Sequence, residues 1–104
     1  MASDFRIHKS RNGNTLYLSL RGDFDGTSAY ELLHSIKEHD GATEVFIETS
    51  GLNHIFPFGR DTLNSNLYLL KGKEFKLEFV GSNAAEIAPE ARRLHRLLRN
   101  SEEA

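Results

Sequence analysis

Cysteine is absent from the 104 residues of this chain, which excludes disulfides, thiolate metal sites and a cysteine nucleophile. Charge of one sign is scarce as well. The formal net charge is −2, too small for a general pull towards nucleic acid or anionic lipid. No apolar run approaches the roughly 20 residues of a membrane span, and Met1 to Arg11 carries polar and charged residues where a signal peptide needs an apolar stretch. A reducing, cytoplasmic setting without membrane insertion is therefore expected. There are only two prolines, Pro57 and Pro89. What is present, 38% hydrophobic and 27% charged residues, suits a globular chain rather than a disordered one. The length suits one domain, residues 1–104, around one core.

Phe5 and Ile7 alternate with Arg6 and His8 as a short strand, and Asn12-Gly13 is a hairpin signal. Leu16, Leu18 and Leu20 then alternate with polar neighbours, a second strand with one apolar face. Gly22-Asp23-Phe24-Asp25-Gly26 breaks that pattern. Ser28 with Glu31 predicts a capping box for a helix whose core stripe is Ala29, Leu32, Leu33 and Ile36. Val45-Phe46-Ile47 is apolar on both faces and reads as a central strand covered on both sides. Leu63, Leu67 and Leu70 recur at helical spacing up to Lys71-Gly72-Lys73. Phe75, Leu77 and Phe79 form a last strand. Gly81-Ser82-Asn83 leads into a final helix with Ile87, Ala91, Leu94 and Leu98 on one face; Pro89 either opens it or kinks an earlier start near Asn83. The order β-β-α-β-α-β-α predicts an α/β fold: a mixed sheet, antiparallel in its opening hairpin and parallel afterwards, covered by helices.

The stretch His54-Ile55-Phe56-Pro57-Phe58-Gly59-Arg60 lies where the central strand hands over to the second helix. Together with Leu18-Ser19-Leu20-Arg21-Gly22-Asp23-Phe24-Asp25, the Ala29-to-Leu32 helix segment, Val45-Phe46-Ile47, Leu52 and Gly59, it resembles the STAS domain, the family of bacterial anti-sigma factor antagonists and of sulfate transporter cytoplasmic domains. The resemblance runs roughly from Phe5 to Leu98. It implies a non-enzymatic protein-binding module in signalling and transcription regulation, with an anti-sigma factor, a switch kinase or a transporter component as partner, room for a homodimer, and no cofactor. In the family the strand-to-helix loop reads Asp-Ser-Ser-Gly, and the second Ser is phosphorylated by a partner kinase. Here those positions are Phe56, Pro57, Phe58 and Gly59, so the hydroxyl is missing from Phe58. A phosphate brings a charge of about −2 that can switch a partner off; Phe58 cannot. The partner-binding residues expected are Phe56, Pro57, Phe58, Gly59 and Arg60, with Asp23 and Asp25 as a polar rim. Whether the two rings face solvent or the core stays open, because period-2 geometry puts them on one side without saying which.

Other candidates are weaker. Asp23 and Asp25 lack the further oxygens of a calcium loop, so no metal site is expected. The five histidines, His8, His34, His39, His54 and His95, are scattered and form no H-x-x-x-H pair. A small enzyme or nucleotide-binding domain would need His54 to converge with Asp23 or Asp25 in a pocket. Gly81-Ser82-Asn83 lacks the glycine pattern of a phosphate loop, and capping by Ser82 or Asn83 is the better account. Arg92, Arg93, Arg96 and Arg99 make a basic stripe on the last helix. With no interleaved aromatics, it reads as a solvated, dipole-matched face before it reads as a nucleic-acid footprint. Thr62, with Thr49 and Ser50, is the nearest candidate for a displaced phosphosite.

Overall fold

Alternating leucines need a partner sheet and a covering layer, and the chain supplies both. The computed structural model describes residues 4–39, 41–70 and 75–89. Strand β1 (Arg6–Asn12) and strand β2 (Thr15–Phe24) form an antiparallel hairpin whose two-residue loop starts at Gly13, with φ +62°. Helix α1 (Gly26–Lys37) crosses to strand β3 (Glu44–Ile55), which pairs parallel with β2. Helix α2 (Pro57–Asn66) and a 3-10 turn (Leu67–Leu70) precede strand β4 (Lys76–Val80), parallel to β3; the short helix α3 (Ala84–Ile87) follows. The sheet order is β1-β2-β3-β4, a mixed sheet as expected.

One core joins the inward side chains of the sheet, such as Leu16, Leu18, Leu20, Val45, Ile47 and Leu77, to the buried stripe of α1 and to Leu63 and Ile87 of the later helices. Among the described residues the helices therefore share one face of the sheet. Phe46 points the other way. It is half-buried and stacks on Tyr17 at 5.6 Å between ring centroids, so among the described residues β3 is not covered on both sides, contrary to the expectation. An apolar residue on the open face is shielded sideways by a cross-strand ring instead.

Three local expectations also change. The β2 ladder continues through Gly22 and Asp23, with register shifts against β3, and ends only at Phe24, whose ring is fully buried. Helix α1 is capped not by a Ser28/Glu31 box but by Asp25, whose Oδ1 accepts the Ser28 N–H at 2.9 Å and the Ser28 hydroxyl at 2.9 Å. At α3, neither Ser82 nor Asn83 caps through its side chain. The Asn83 amide donates to the carbonyls of Thr49 and Leu52, and the Ser82 and Asn83 N–H groups donate to the Ser50 and Thr49 hydroxyls. That corner is tied to β3, and those two N–H groups are not free for a phosphate. Helix α3 starts just after Asn83 and stops at Ala88, whose φ of −141° is extended, as the residue before a proline prefers. Lys71-Gly72-Lys73, His95 and the predicted helix carrying Ala91, Leu94, Leu98, Arg92, Arg93, Arg96 and Arg99 lie outside the described residues. No helix among the described residues is long and apolar enough to cross a membrane.

Candidate functional site

Strands β2 and β3 end side by side, so the helices that follow them also start side by side. The Phe56 N–H donates to the Phe24 carbonyl at 2.9 Å and stitches the two strand ends together. Phe56 then takes the N-cap position of α2 in extended conformation, and Pro57, joined to it by a trans bond, fills the first helical position, where a missing N–H costs nothing. One residue later than Phe24, Asp25 caps α1 in the same layer.

Gly59 lets the two helix starts meet. A Cβ there would lie 2.6 Å from the Asp25 carbonyl carbon and 2.7 Å from its Cα, both backbone atoms that cannot rotate away. This gives a physical reason for glycine at the one loop position shared with the STAS pattern. Gly59→Ala is expected to cost about 1–3 kcal/mol of stability through overpacking. Urea denaturation checks it; an unchanged midpoint would remove Gly59 as the spacer.

The first turn of α2 aims its side chains outward. Phe58 is 73% exposed and Phe56 46%. The question left open by periodicity is thereby answered: both rings face solvent. The Phe58 ring rests over Gly26 at the start of α1, where a Cβ would come within 2.7 Å of the ring. Tyr30, 61% exposed, follows Gly26 by one helical turn on the same side of α1. Tyr30 was not singled out from the sequence. Its signal was an aromatic residue off the apolar stripe of an amphipathic helix.

Charged groups surround the rings. The His54 Nδ1 lies 3.1 Å from Asp23 Oδ1, with 72% of the His54 side chain exposed, and its ring is 6.3 Å from that of Phe56. Asp23 and Asp25 turn to different partners, His54 and Ser28 respectively. His54 and Asp23 thus come together on an open surface, not in an enclosed site. Arg60 is half-buried, 3.7 Å from Asp61. Thr62 is buried, Thr49 is fully buried and donates to the Val80 carbonyl, and Ser50 is exposed beside Glu48.

The Ser28 N–H, helped by the Ser28 hydroxyl and opposed by partial burial, holds the Asp25 carboxyl below the usual aspartate range. A depressed folded-state pKa contributes stability that is fully present above the unfolded value, near ~3.9, and is lost as pH falls through the folded one. Asp25→Ala should therefore lower stability at neutral pH by about 0.5–2 kcal/mol and reduce the loss seen on acidification. Thermal melts from neutral to acid pH measure this; parallel profiles for the two proteins would refute the cap's contribution.

No protein-family model and no curated protein matches the chain in sequence. Its backbone, however, superposes on an anti-sigma factor antagonist from Mycobacterium paratuberculosis with a TM-score of 0.60 at 19% identity, over 94% of this chain and 81% of that one. The fold is STAS-like. A DUF3478 protein with a SpoIIAA-like fold from Shewanella loihica PV-4 also matches this STAS-like chain, with a TM-score of 0.50 at 16% identity over 75% of this chain and 68% of that one. Mglu matches with a TM-score of 0.59 at 19% identity over 69% of this chain, which spans 18% of the length of Mglu. At these identities the likeness is one of fold.

Proposed function

We propose that this STAS-like chain is a non-enzymatic docking module that binds a protein regulator through the paired helix starts. The observation that carries the reading is the exposure of Phe58 and Phe56 at the one place where the chain departs most from the STAS loop. Large rings held on a helix start lose little conformational entropy on binding, and each contributes about 1.5–3 kcal/mol when a partner covers it. Three exposed or half-buried carboxylates, Asp23, Asp25 and Asp61, border the rings. The partner that fits is a protein with an apolar groove edged by Lys or Arg. The Mycobacterium neighbour is an anti-sigma factor antagonist, and an anti-sigma factor or switch kinase is the partner class proposed here. Phe58 offers no hydroxyl to phosphorylate, so docking at this loop is constitutive.

The test is affinity capture from a native lysate with the wild-type chain and with a Phe56→Ser, Phe58→Ser variant, followed by titration of the purified retained protein. A regulator of that class retained only by the wild type supports the reading. Equal retention by both chains, with the variant folded, sinks it.

A further inference from the structure

Strands β1 and β2 set two arginines side by side on the sheet face turned away from the helices. Arg6 stands directly opposite Arg21, and His8 opposite Ser19. Arg6, Ile7, His8 and Arg21 line an open depression. Like charges directly opposite each other weaken a strand pair, so this arrangement costs the hairpin stability that a neutralising group would return. The neighbouring carboxylates are turned elsewhere. Asp23 Oδ1 lies 3.1 Å from His54 Nδ1, and the Glu48 carboxylate accepts the Ser50 N–H at 2.7 Å and the Ser50 hydroxyl at 3.3 Å. Among the described residues neither guanidinium lies within ion-pair distance of a carboxylate. The Arg21 stem runs against bare backbone, since a Cβ at Gly51, its register partner on β3, would come within 3.1 Å of the Arg21 Cγ.

We infer that this depression binds the phosphate group of a phosphomonoester. Facing Cβ atoms of paired strands stand about 4.5–5.5 Å apart, so both guanidinium forks reach one anion held between them. A carboxylate carries one charge and two oxygens, and a single arginine fork satisfies it. A phosphomonoester carries a charge of about −2 and three terminal oxygens, enough for both forks with an acceptor left for the His8 imidazole N–H or the Ser19 hydroxyl. Binding then turns a repulsive pair into a bridged one. The site is open to solvent and screened by salt, so its dissociation constant is on the order of 1 mM. Lys9 alternates to the other face of β1 and stays outside the site. The Phe56 and Phe58 rings take no part in it.

Amide NMR of the full chain, titrated with glycerol 3-phosphate at about pH 7.5, where a phosphomonoester is mostly a dianion, tests this against sodium acetate at equal ionic strength. The amides of Arg6, His8, Ser19 and Arg21 should shift and saturate with the ester and not with acetate. Arg6→Gln and Arg21→Gln should each weaken binding roughly tenfold or more, the value of a charge-assisted contact. Arg21→Lys keeps the charge and loses the fork, and should weaken it by less. Unchanged amide shifts elsewhere show these variants to be folded. Lys9→Gln removes the same charge from the other face and should leave binding as it was. Phosphatidic acid presents the same phosphomonoester on a lipid: sedimentation with vesicles of that lipid, lost in Arg6→Gln with Arg21→Gln, assigns a headgroup, whereas saturation by glycerol 3-phosphate without vesicle binding assigns a free small molecule. A chain that neither binds the vesicles nor saturates with glycerol 3-phosphate up to about 50 mM overturns the inference. So do equal shifts with acetate, or a loss in Lys9→Gln as large as that in Arg6→Gln.

Discussion

Phe58→Ala is expected to weaken the complex with the regulator by roughly 30-fold or more, about 2 kcal/mol, the range of a central aromatic anchor. The ring is 73% exposed in the free chain and rests over Gly26, so its removal should leave the melting temperature nearly unchanged. Affinity and stability thus separate in this variant. Phe58→Asp should weaken binding at least as much, since it adds a carboxylate to a surface already bordered by Asp23, Asp25 and Asp61. Gly26→Ala provides a subtler probe. Its methyl would displace the Phe58 ring without deleting it, and binding should fall by less than for Phe58→Ala. Titration calorimetry with the purified regulator measures all three; an affinity that survives loss of both Phe56 and Phe58 would show that the rings are not the anchor.

Phe24→Ala should have the largest effect on folding, a loss of about 3–5 kcal/mol. Its ring is fully buried at the end of β2, edge-on to Phe5 at 5.7 Å, and its carbonyl receives the Phe56 N–H. The substitution therefore opens a cavity under both strand ends that launch the helices. A domain of this size holds a total stability on the order of 5–15 kcal/mol, so the melting temperature should fall by roughly 12–30 °C. Tyr17→Ser on the open face is the control, since a 40% exposed ring has less burial to lose. Thermal unfolding followed by circular dichroism compares the two, and a drop in Phe24→Ala no larger than that of Tyr17→Ser would contradict the packing described.

Phe24 also shows where sequence pattern stops informing. Flanked by Asp23 and Asp25 between two glycines, it reads as a turn, because local propensity at those residues favours one. Pairing of β2 with β3 overrides that propensity, and the burial of the ring supplies the driving force. Asp25 acts as cap for the same reason: once the strand runs to Phe24, the helix begins at Gly26 and the residue before it is the one whose carboxylate reaches the Ser28 N–H. Phe46 errs in the opposite direction. A run of three apolar residues signals burial on both faces, yet a neighbouring strand places Tyr17 beside the ring and shields it, with no covering layer among the described residues.

Periodicity alone determined the order of strands and helices, the inward leucines of β2, the stripe of α1 and the strand-to-helix handover at Phe56-Pro57, because each depends on spacing within a few neighbouring residues. The loss of a hydroxyl at Phe58 was equally legible, being a matter of residue type. The direction of Phe56 and Phe58, the meeting of His54 with Asp23 and the contact of Gly59 with the Asp25 backbone were decided only in three dimensions. Each joins residues that are far apart in the chain, and their placement follows from the register of β2 on β3 and the packing of α1 beside α2, quantities that no local pattern encodes.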